Sequence, residues 1–239
     1  LAHWLTMTTP NIITHDSLPE ELQKMIDDFA SRGITIYLLD VTSLSIPSVY
    51  VVAINHKADV PMLVLAGAAG TTYKEALYAG LLEMVMLSRV FYFDKKPEKL
   101  QGEPKPFVSD INKSTRLSYW QGEERIEEFR WFISGKKGLY KDSCLSEIGG
   151  KRDSDAQKIE ASLNVLQKFG EDYYPVVYYP KHKAQGALGF YVAQVYIPKA
   201  FPFYLRECYG TFDSDRLSDF AKSKNIKDWK LNEKPHMFD

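Results

Sequence analysis

Between Ile34 and Tyr92 the sequence spells three β-type runs followed by a long helix, and any fold proposed for the chain must accommodate that order. Ile34-Thr-Ile-Tyr-Leu-Leu-Asp40 is apolar and β-branched. Val41-Thr-Ser-Leu-Ser-Ile-Pro47 interrupts it, and Val49-Tyr-Val-Val-Ala-Ile54 resumes the pattern. Lys57-Ala-Asp59 turns the chain into Met62-Leu-Val-Leu65. The small-residue stretch Gly67-Ala-Ala-Gly70 then reads as a loop, and Thr71 or Thr72 is placed to cap a helix running to about Tyr92.

The flanks repeat this vocabulary. Asn11–Thr14 is short and extended. Asp16-Ser17-Leu-Pro-Glu20 predicts a helix start with Ser17 as cap, Pro19 in the first turn and Glu20 closing a capping box. Leu22, Met25, Ile26 and Phe29 then share one face, and Gly33 ends the helix. Residues 94–105 are charged and Pro-rich, and Arg116–Gly150 balances its Lys and Arg with acids. Residues 94–150 therefore read as a solvated insertion around one helix, Glu123–Ser134, with Ile126, Phe129 and Ile133 on a face. Asp153 opens another amphipathic helix, with Ile159, Leu163, Leu166 and Phe169 on one side and Gly170 at its end. Tyr173–Tyr179 and Leu188–Ile197 follow as strands, whose Tyr and Phe content reads as sheet packing. Gly33 and Gly170 thus hold equivalent places in two related helix–strand–strand units. A short helix is expected near Asp215–Ser223. The fold class is α+β, with mixed sheets and packed helices in one interlocked domain over 1–239.

Charge narrows the choice of partner. The chain carries 30 Lys and Arg against 31 Asp and Glu, a net charge of −1. That balance gives no electrostatic reason to expect nucleic acid or an anionic membrane as partner. No apolar run approaches the ~20 residues needed to span a bilayer. Leu1-Ala-His-Trp-Leu5 has neither the basic start nor the cleavage site of a signal peptide. Cys144 and Cys208 lack the spacing of a disulfide framework or zinc site, and a cytoplasmic address is the expectation. The chain opens as if midway through an apolar helix, which suggests the C-terminal part of a longer protein.

The chemistry concentrates on the helix after Gly70. Glu75 and Glu83 lie eight residues apart, so they differ by ~80° in azimuth and ~12 Å in rise, with Ala79 between them. Two carboxylates and small residues suit a hard cation, because Mg²⁺ takes one or two protein carboxylates and completes its shell with water and phosphate oxygens. Gly67–Thr72 leads to the helix N-terminus, where N–H groups and the dipole favour anions. Together these features suggest a nucleotide-phosphate site. The competing reading is that Glu75 is a first-turn acid serving the helix itself, with Ala and Gly allowing close packing. No Walker A loop, GxGxxG, HExxH or GxSxG occurs. His3, His15, His56 and His182 are scattered, and read as ordinary surface or core residues.

With those residues in view, the sequence resembles the YcaO family, in particular the SagD-like proteins of azole-forming cyclodehydratases. The likeness rests on Gly33-Ile-Thr-Ile-Tyr-Leu-Leu-Asp-Val-Thr42 with its D-x-T, on Ile46-Pro47, on Gly67–Gly70, and on Glu75-Ala-Leu-Tyr-Ala-Gly-Leu-Leu-Glu83. The resemblance implies ATP and Mg²⁺ as cofactors. It implies that a Cys, Ser or Thr of a ribosomal precursor peptide attacks the preceding carbonyl. ATP phosphorylates the oxyanion, and phosphate leaves to give an azoline. On this match Glu83 is a metal ligand, Glu75 a second, and Gly67 and Gly70 belong to the cofactor loop. Pro235, His236 and Phe238 correspond to the proline-rich tail that reaches the active site. Implied partners are the precursor peptide, a leader-binding cyclodehydratase partner, a flavin-dependent azoline dehydrogenase and a second copy of the chain.

The sequence also departs from the family pattern. The S-x-x-E-x-x-E-R stretch is absent, Met86 and Leu87 stand where a glutamine is expected, and Met237 and Asp239 replace tail prolines. With part of the ATP site missing, this chain alone is expected to be inactive. A docking scaffold of the same biosynthetic complex is the alternative function, and an unrelated α+β ligand-binding domain is a third.

Overall fold

Residue Ile34 pairs with Asn55 and Asp40 with Val49, so the first two of the expected β-runs form an antiparallel hairpin with an unbroken register. The computed structural model describes residues 1–42, 45–57, 63–93, 111, 113–140, 154–168, 170–179, 187–189, 192–198 and 214–237. They divide into two compact units, Leu1–Cys144 with Phe201–Asp239, and Leu145–Ala200.

The first unit is built on five strands: β1 (Asn11–Ile13), β2 (Ile34–Asp40), β3 (Ser48–Asn55), β4 (Leu63–Ala69) and β5 (Lys137–Gly138). Their order is β4-β3-β2-β1-β5. The β1–β5 pair is parallel and the others antiparallel, so the sheet is mixed, as expected. Alternation along the strands gives the sheet two buried faces. Leu38, Val49, Val51, Ala53, Val64 and Ala66 point to one of them, where α2 (Glu20–Ser31) and α3 (Tyr73–Phe93) pack. Leu39, Val52, Ile54, Leu63 and Leu65 point to the other.

That second face is covered by α1 (Ala2–Leu5), α4 (Lys113–Tyr119), α5 (Glu123–Phe129), a 3₁₀ turn over Arg130–Ile133 and the C-terminal residues, and α7 (Ser214–Ser223) contributes Leu217. Trp4 is fully buried there. It packs edge-on against Trp120 at 5.4 Å and Phe132 at 5.5 Å, and stacks on Phe129 at 5.9 Å. Such pairs contribute about 0.5–1.5 kcal/mol each beyond the area they bury. Ile111, Tyr119, Trp120, Phe129, Phe132 and Ile133 are all buried, five of them in the core on this face, so the described part of this stretch is not the solvated insertion expected. Gly135 then approaches Pro10 so closely that a Cβ would lie 1.8 Å from the Pro10 carbonyl oxygen. Only glycine lets β5 dock beside β1.

Three local expectations are corrected. Gly67, Ala68 and Ala69 continue β4, with Gly67 opposite Tyr50, so the loop shrinks to Gly70–Thr72. The α2 capping box does not form. Ser17 sits in a 3₁₀ turn, where its hydroxyl donates to the Thr14 carbonyl at 2.7 Å and accepts from the Tyr140 amide at 2.6 Å, while Pro19 occupies the cap position. Met25 is exposed at 37%, leaving Leu22, Ile26 and Phe29 to bury that helix.

The second unit contains α6 (Asp155–Gln167) and a two-stranded antiparallel ribbon, β6 (Val176–Tyr178) with β7 (Gln194–Tyr196). Ser154 caps α6 in a full capping box with Gln157. Its buried residues are Ala161, Val165 and Leu166, and Ile159 faces outward at 61% exposure. Gly170, at φ +108°, ends the helix as Gly33 does at +86°. A 3₁₀ turn over Glu171–Tyr173 shortens the first strand. Val176, Tyr178, Val195 and Tyr196 are more than half exposed, so the described part of the ribbon does not pack in the manner expected of these aromatics. Asp153, Phe169, Lys181-His-Lys183, Cys144 and Cys208 lie outside the described residues or on their margin. Among the described residues, no helix is long and apolar enough to cross a membrane.

Candidate nucleotide-phosphate site

The inner face of α3 is apolar throughout: Tyr73, Ala76, Leu77, Leu81, Met84 and Leu87 are buried against the sheet. That spacing rotates Glu75, Ala79, Leu82, Glu83 and Met86 to the outer face, where all are exposed. Gly80 sets how closely the helix lies, because a Cβ there would meet Val51 Cγ2 at 2.8 Å. The helix thus presents both carboxylates outward on a rigidly seated element.

The two glutamates differ in what they do. Thr72 Oγ1 accepts from the Glu75 amide at 3.0 Å, and Glu75 reaches back to accept from the Thr71 amide at 2.9 Å and from the Thr71 hydroxyl. This reciprocal arrangement satisfies N–H groups that helix starts leave without partners. The first-turn reading of Glu75 therefore holds. Glu83, by contrast, has no hydrogen-bond or ion-pair partner among the described residues. Lys74, beside Glu75, pairs with Glu21 of α2 at 2.5 Å and holds that carboxyl below the usual range. Gly70 is tied to the hairpin by donating to the Pro47 carbonyl at 3.0 Å, and a Cβ there would meet the Ala76 nitrogen at 2.8 Å.

Residues Asp40 and Thr42, the D-x-T of the family resemblance, form the turn that leaves β2, a role that sequence reasoning did not give them. Asp40 Oδ1 accepts from the Thr42 amide at 3.0 Å, a turn typical of Asp. The Thr42 hydroxyl lies 2.8 Å from the Tyr73 hydroxyl in the first turn of α3. Burial pushes the Tyr73 phenol up to about 12, with the Asp40 charge adding to the shift and the Thr42 hydrogen bond opposing it.

The tail residues go elsewhere. Trp4 Nε1 donates to the Lys234 carbonyl and Trp120 Nε1 to the Pro235 carbonyl, both at 3.1 Å. His236 and Met237 are buried, Met237 in the aromatic core. That core covers the sheet face opposite to α3, so Pro235 and His236 are not brought together with Glu75 and Glu83. Phe238 lies outside the described residues.

A family model described as "YcaO cyclodehydratase, ATP-ad Mg2+-binding" matches residues 2–200. The chain belongs to the YcaO family. A search of the curated proteins found no match. Among solved structures this YcaO chain is similar to that of the heterocyclase TruD, with TM-score 0.69 and 14% identity over 98% of this chain and 30% of that one. It is also similar to a heterocyclase in complex with substrate and cofactor, with TM-score 0.71 and 16% identity over 99% and 29%. At such identities the likeness establishes the fold. The YcaO chain spans about three-tenths of the length of either structure.

ATP and Mg²⁺ are the cofactors of the family model. The donor set here fits Mg²⁺ in kind, since both glutamates are hard oxygen ligands at an exposed surface. Their ~12 Å separation along the helix prevents them from closing on one ion directly. No group of three or more His, Cys, Asp or Glu among the described residues could hold a metal. Of the two, Glu83 is exposed with its carboxylate unengaged among the described residues, whereas Glu75 is engaged in capping.

Proposed function

We propose that this chain is the C-terminal portion, over 1–239, of a SagD-like YcaO cyclodehydratase. The activity of the whole protein is then ATP-dependent conversion of Cys, Ser or Thr in a ribosomal precursor peptide to azolines, in bacteriocin- or streptolysin-type maturation. Residues 94–150 would be the family-variable part. The observation that carries the reading is the outer face of α3. Packing seats the helix firmly and leaves the Glu83 carboxylate exposed, in a family whose model binds ATP and Mg²⁺.

In this reading Glu83 holds Mg²⁺, and Glu75, too far along the helix to share that ion directly and engaged by Thr71, would meet a second ion more weakly. Gly70 shapes the turn into the helix, and Gly67 lets β4 pass the Tyr50 ring, which a Cβ would approach to 2.8 Å. When bound, Mg·ATP supplies the phosphoryl group that activates the peptide oxyanion, with its charge screened by the metal. The chain's own part is to fix the carboxylates on a helix packed along its apolar face against the sheet. The leader-binding partner, the flavin-dependent dehydrogenase, a homodimer and a cytoplasmic setting belong to the same proposal. Calorimetry of Mg·ATP against this chain and against a longer protein carrying the S-x-x-E-x-x-E-R stretch tests it. Binding by the longer protein, lost in Glu83→Gln, is expected, and undiminished binding in that variant removes Glu83 from the site.

One observation favours the alternative, a docking scaffold without catalysis. Lys234–Met237 is built into the sheet face opposite to α3, where it supports the aromatic core and is remote from the carboxylates. Met86 occupies the outer face beside Glu83 and offers no oxygen or amide. ATP turnover by the longer protein separates the two readings.

A further inference from the structure

Helices α2 and α3 are neighbours on one face of the sheet, joined by the Lys74–Glu21 pair, yet their outward surfaces differ in kind. α2 turns Glu20, Glu21, Lys24, Asp27 and Asp28 to solvent, as a solvated helix does. α3 turns out Ala79, Leu82 and Met86, with Leu82 exposed at 63% and Met86 at 57%. Since its inner side is already packed on the sheet, α3 is apolar on two faces, the pattern of a helix that is covered on both.

The outer stripe is Glu75, Ala79, Leu82, Met86 and Arg89, spaced by four, three, four and three residues. These positions fall within an arc of about 80°, the kind of seam along which two helices pack. Its charges are placed symmetrically. Glu75 stands seven residues before Leu82 and Arg89 seven after, all within the helix Tyr73–Phe93. A second copy lying antiparallel, with the two Leu82 side chains meeting on the two-fold axis, therefore brings each Glu75 level with the other copy's Arg89. Ala79 then lies within about 1.5 Å of rise of the other copy's Met86, a small side chain beneath a long one. A parallel pair would set Glu75 against Glu75 and Arg89 against Arg89. The stripe is thus self-complementary in the sense a two-fold contact requires. The helix cap is compatible with it, because a carboxylate offers about four acceptor sites and the Thr71 amide and hydroxyl use two.

We infer that the outer face of α3 docks the α3 of a second copy of this chain, antiparallel, with Leu82 at the centre and a Glu75–Arg89 ion pair at each end. Glu83 lies about 100° round the helix from Leu82, at the rim, where it stays open to a metal. Both copies bring Glu83 to the same rim, and that repulsion, with only one helix per copy in the contact, keeps the association weak. The contact gives the proposed homodimer a surface and needs neither nucleotide nor metal. Its failure and that of the ATP reading are therefore distinguishable.

Sedimentation equilibrium of the chain, without nucleotide or divalent metal, is expected to show a monomer–dimer equilibrium with a dissociation constant of roughly 10–100 µM. Leu82→Lys should weaken it by roughly tenfold or more, with circular dichroism checking that the helix content of each variant is unchanged. The deciding arm uses charge. Arg89→Glu and Glu75→Lys each place like charges at both ends of the pair, so each alone should self-associate roughly tenfold less tightly. Mixed together they restore two opposite-charge pairs, and the mixture should regain the parent affinity. Should Glu75→Lys not fold, Arg89→Glu and Leu82→Lys carry the test. The inference is overturned if the chain stays monomeric up to about 500 µM, if Leu82→Lys or Arg89→Glu dimerises as the parent does, or if the mixture does not recover. It is also overturned if a longer protein carrying the S-x-x-E-x-x-E-R stretch is monomeric while this chain dimerises, because the stripe then serves a contact within that polypeptide.

Discussion

The indole nitrogen of Trp120 donates to the carbonyl of Pro235 at 3.1 Å, joining positions 115 residues apart in the buried core. Replacing Trp120 with Phe removes the donor and leaves a buried carbonyl to lose its partner. The expected cost is about 1–3 kcal/mol, beyond the volume lost, with the fold retained. Urea unfolding reads it as a lower midpoint at an unchanged slope.

The two glutamates of α3 should separate cleanly on stability. Glu83 is exposed and uninvolved in packing, so Glu83→Gln is expected within about 0.5 kcal/mol of the parent. Glu75→Gln weakens the helix start and should cost about 0.5–1 kcal/mol. Thermal melts of both variants check this, and equal loss at the two positions would contradict the capping arrangement.

Position 80 tests how closely α3 lies on the sheet. Helix propensity alone favours Gly80→Ala by up to about 1 kcal/mol. The new methyl would meet Val51 Cγ2 at 2.8 Å, and overpacking of that kind costs about 1–3 kcal/mol. Destabilisation is therefore expected, and pairing the change with Val51→Ala should relieve part of it.

Stability should fall in mild acid through His3. Its folded pKa of about 4 lies below the ordinary 6.5, because burial disfavours the charged ring. Between these values the unfolded chain takes up a proton that the folded protein does not. The contribution is complete above pH 6.5 and is lost as pH falls toward 4, amounting to about 3 kcal/mol. Denaturation at pH 7 and pH 4.5 should show this leg in the parent and not in His3→Gln.

Much of the fold was legible because periodicity reports burial directly. Ile34–Asp40 matches β2, and the helix expected after Thr72 runs from Tyr73 to Phe93. Gly67–Ala69 misled because small residues signal loops, whereas here they let an outer strand pass beneath Tyr50 and α3. Residues 111–133 misled in the opposite sense. Their charge balance matched a surface, yet Trp120, Phe129 and Phe132 find a partner in Trp4, more than a hundred residues away, which no local window reveals. The carboxylate pair was visible from spacing, but not the division of labour between Glu75 and Glu83. That depends on which rotamer the Thr71 amide captures. His3 was passed over as an ordinary histidine, since only its burial and the Thr8 contact distinguish it.

One hydroxyl stands at the meeting point of two surfaces. Thr42 lines a polar cavity and also bonds Tyr73 at the root of the carboxylate helix. A guest that draws on this hydroxyl competes with the tyrosine, and the tyrosine's hold on it is set by how α3 begins. The wall of that cavity and the start of α3 thus share one hydrogen-bonding group. Whatever alters the turn after β2 is therefore felt at the first turn of the helix that carries Glu75 and Glu83.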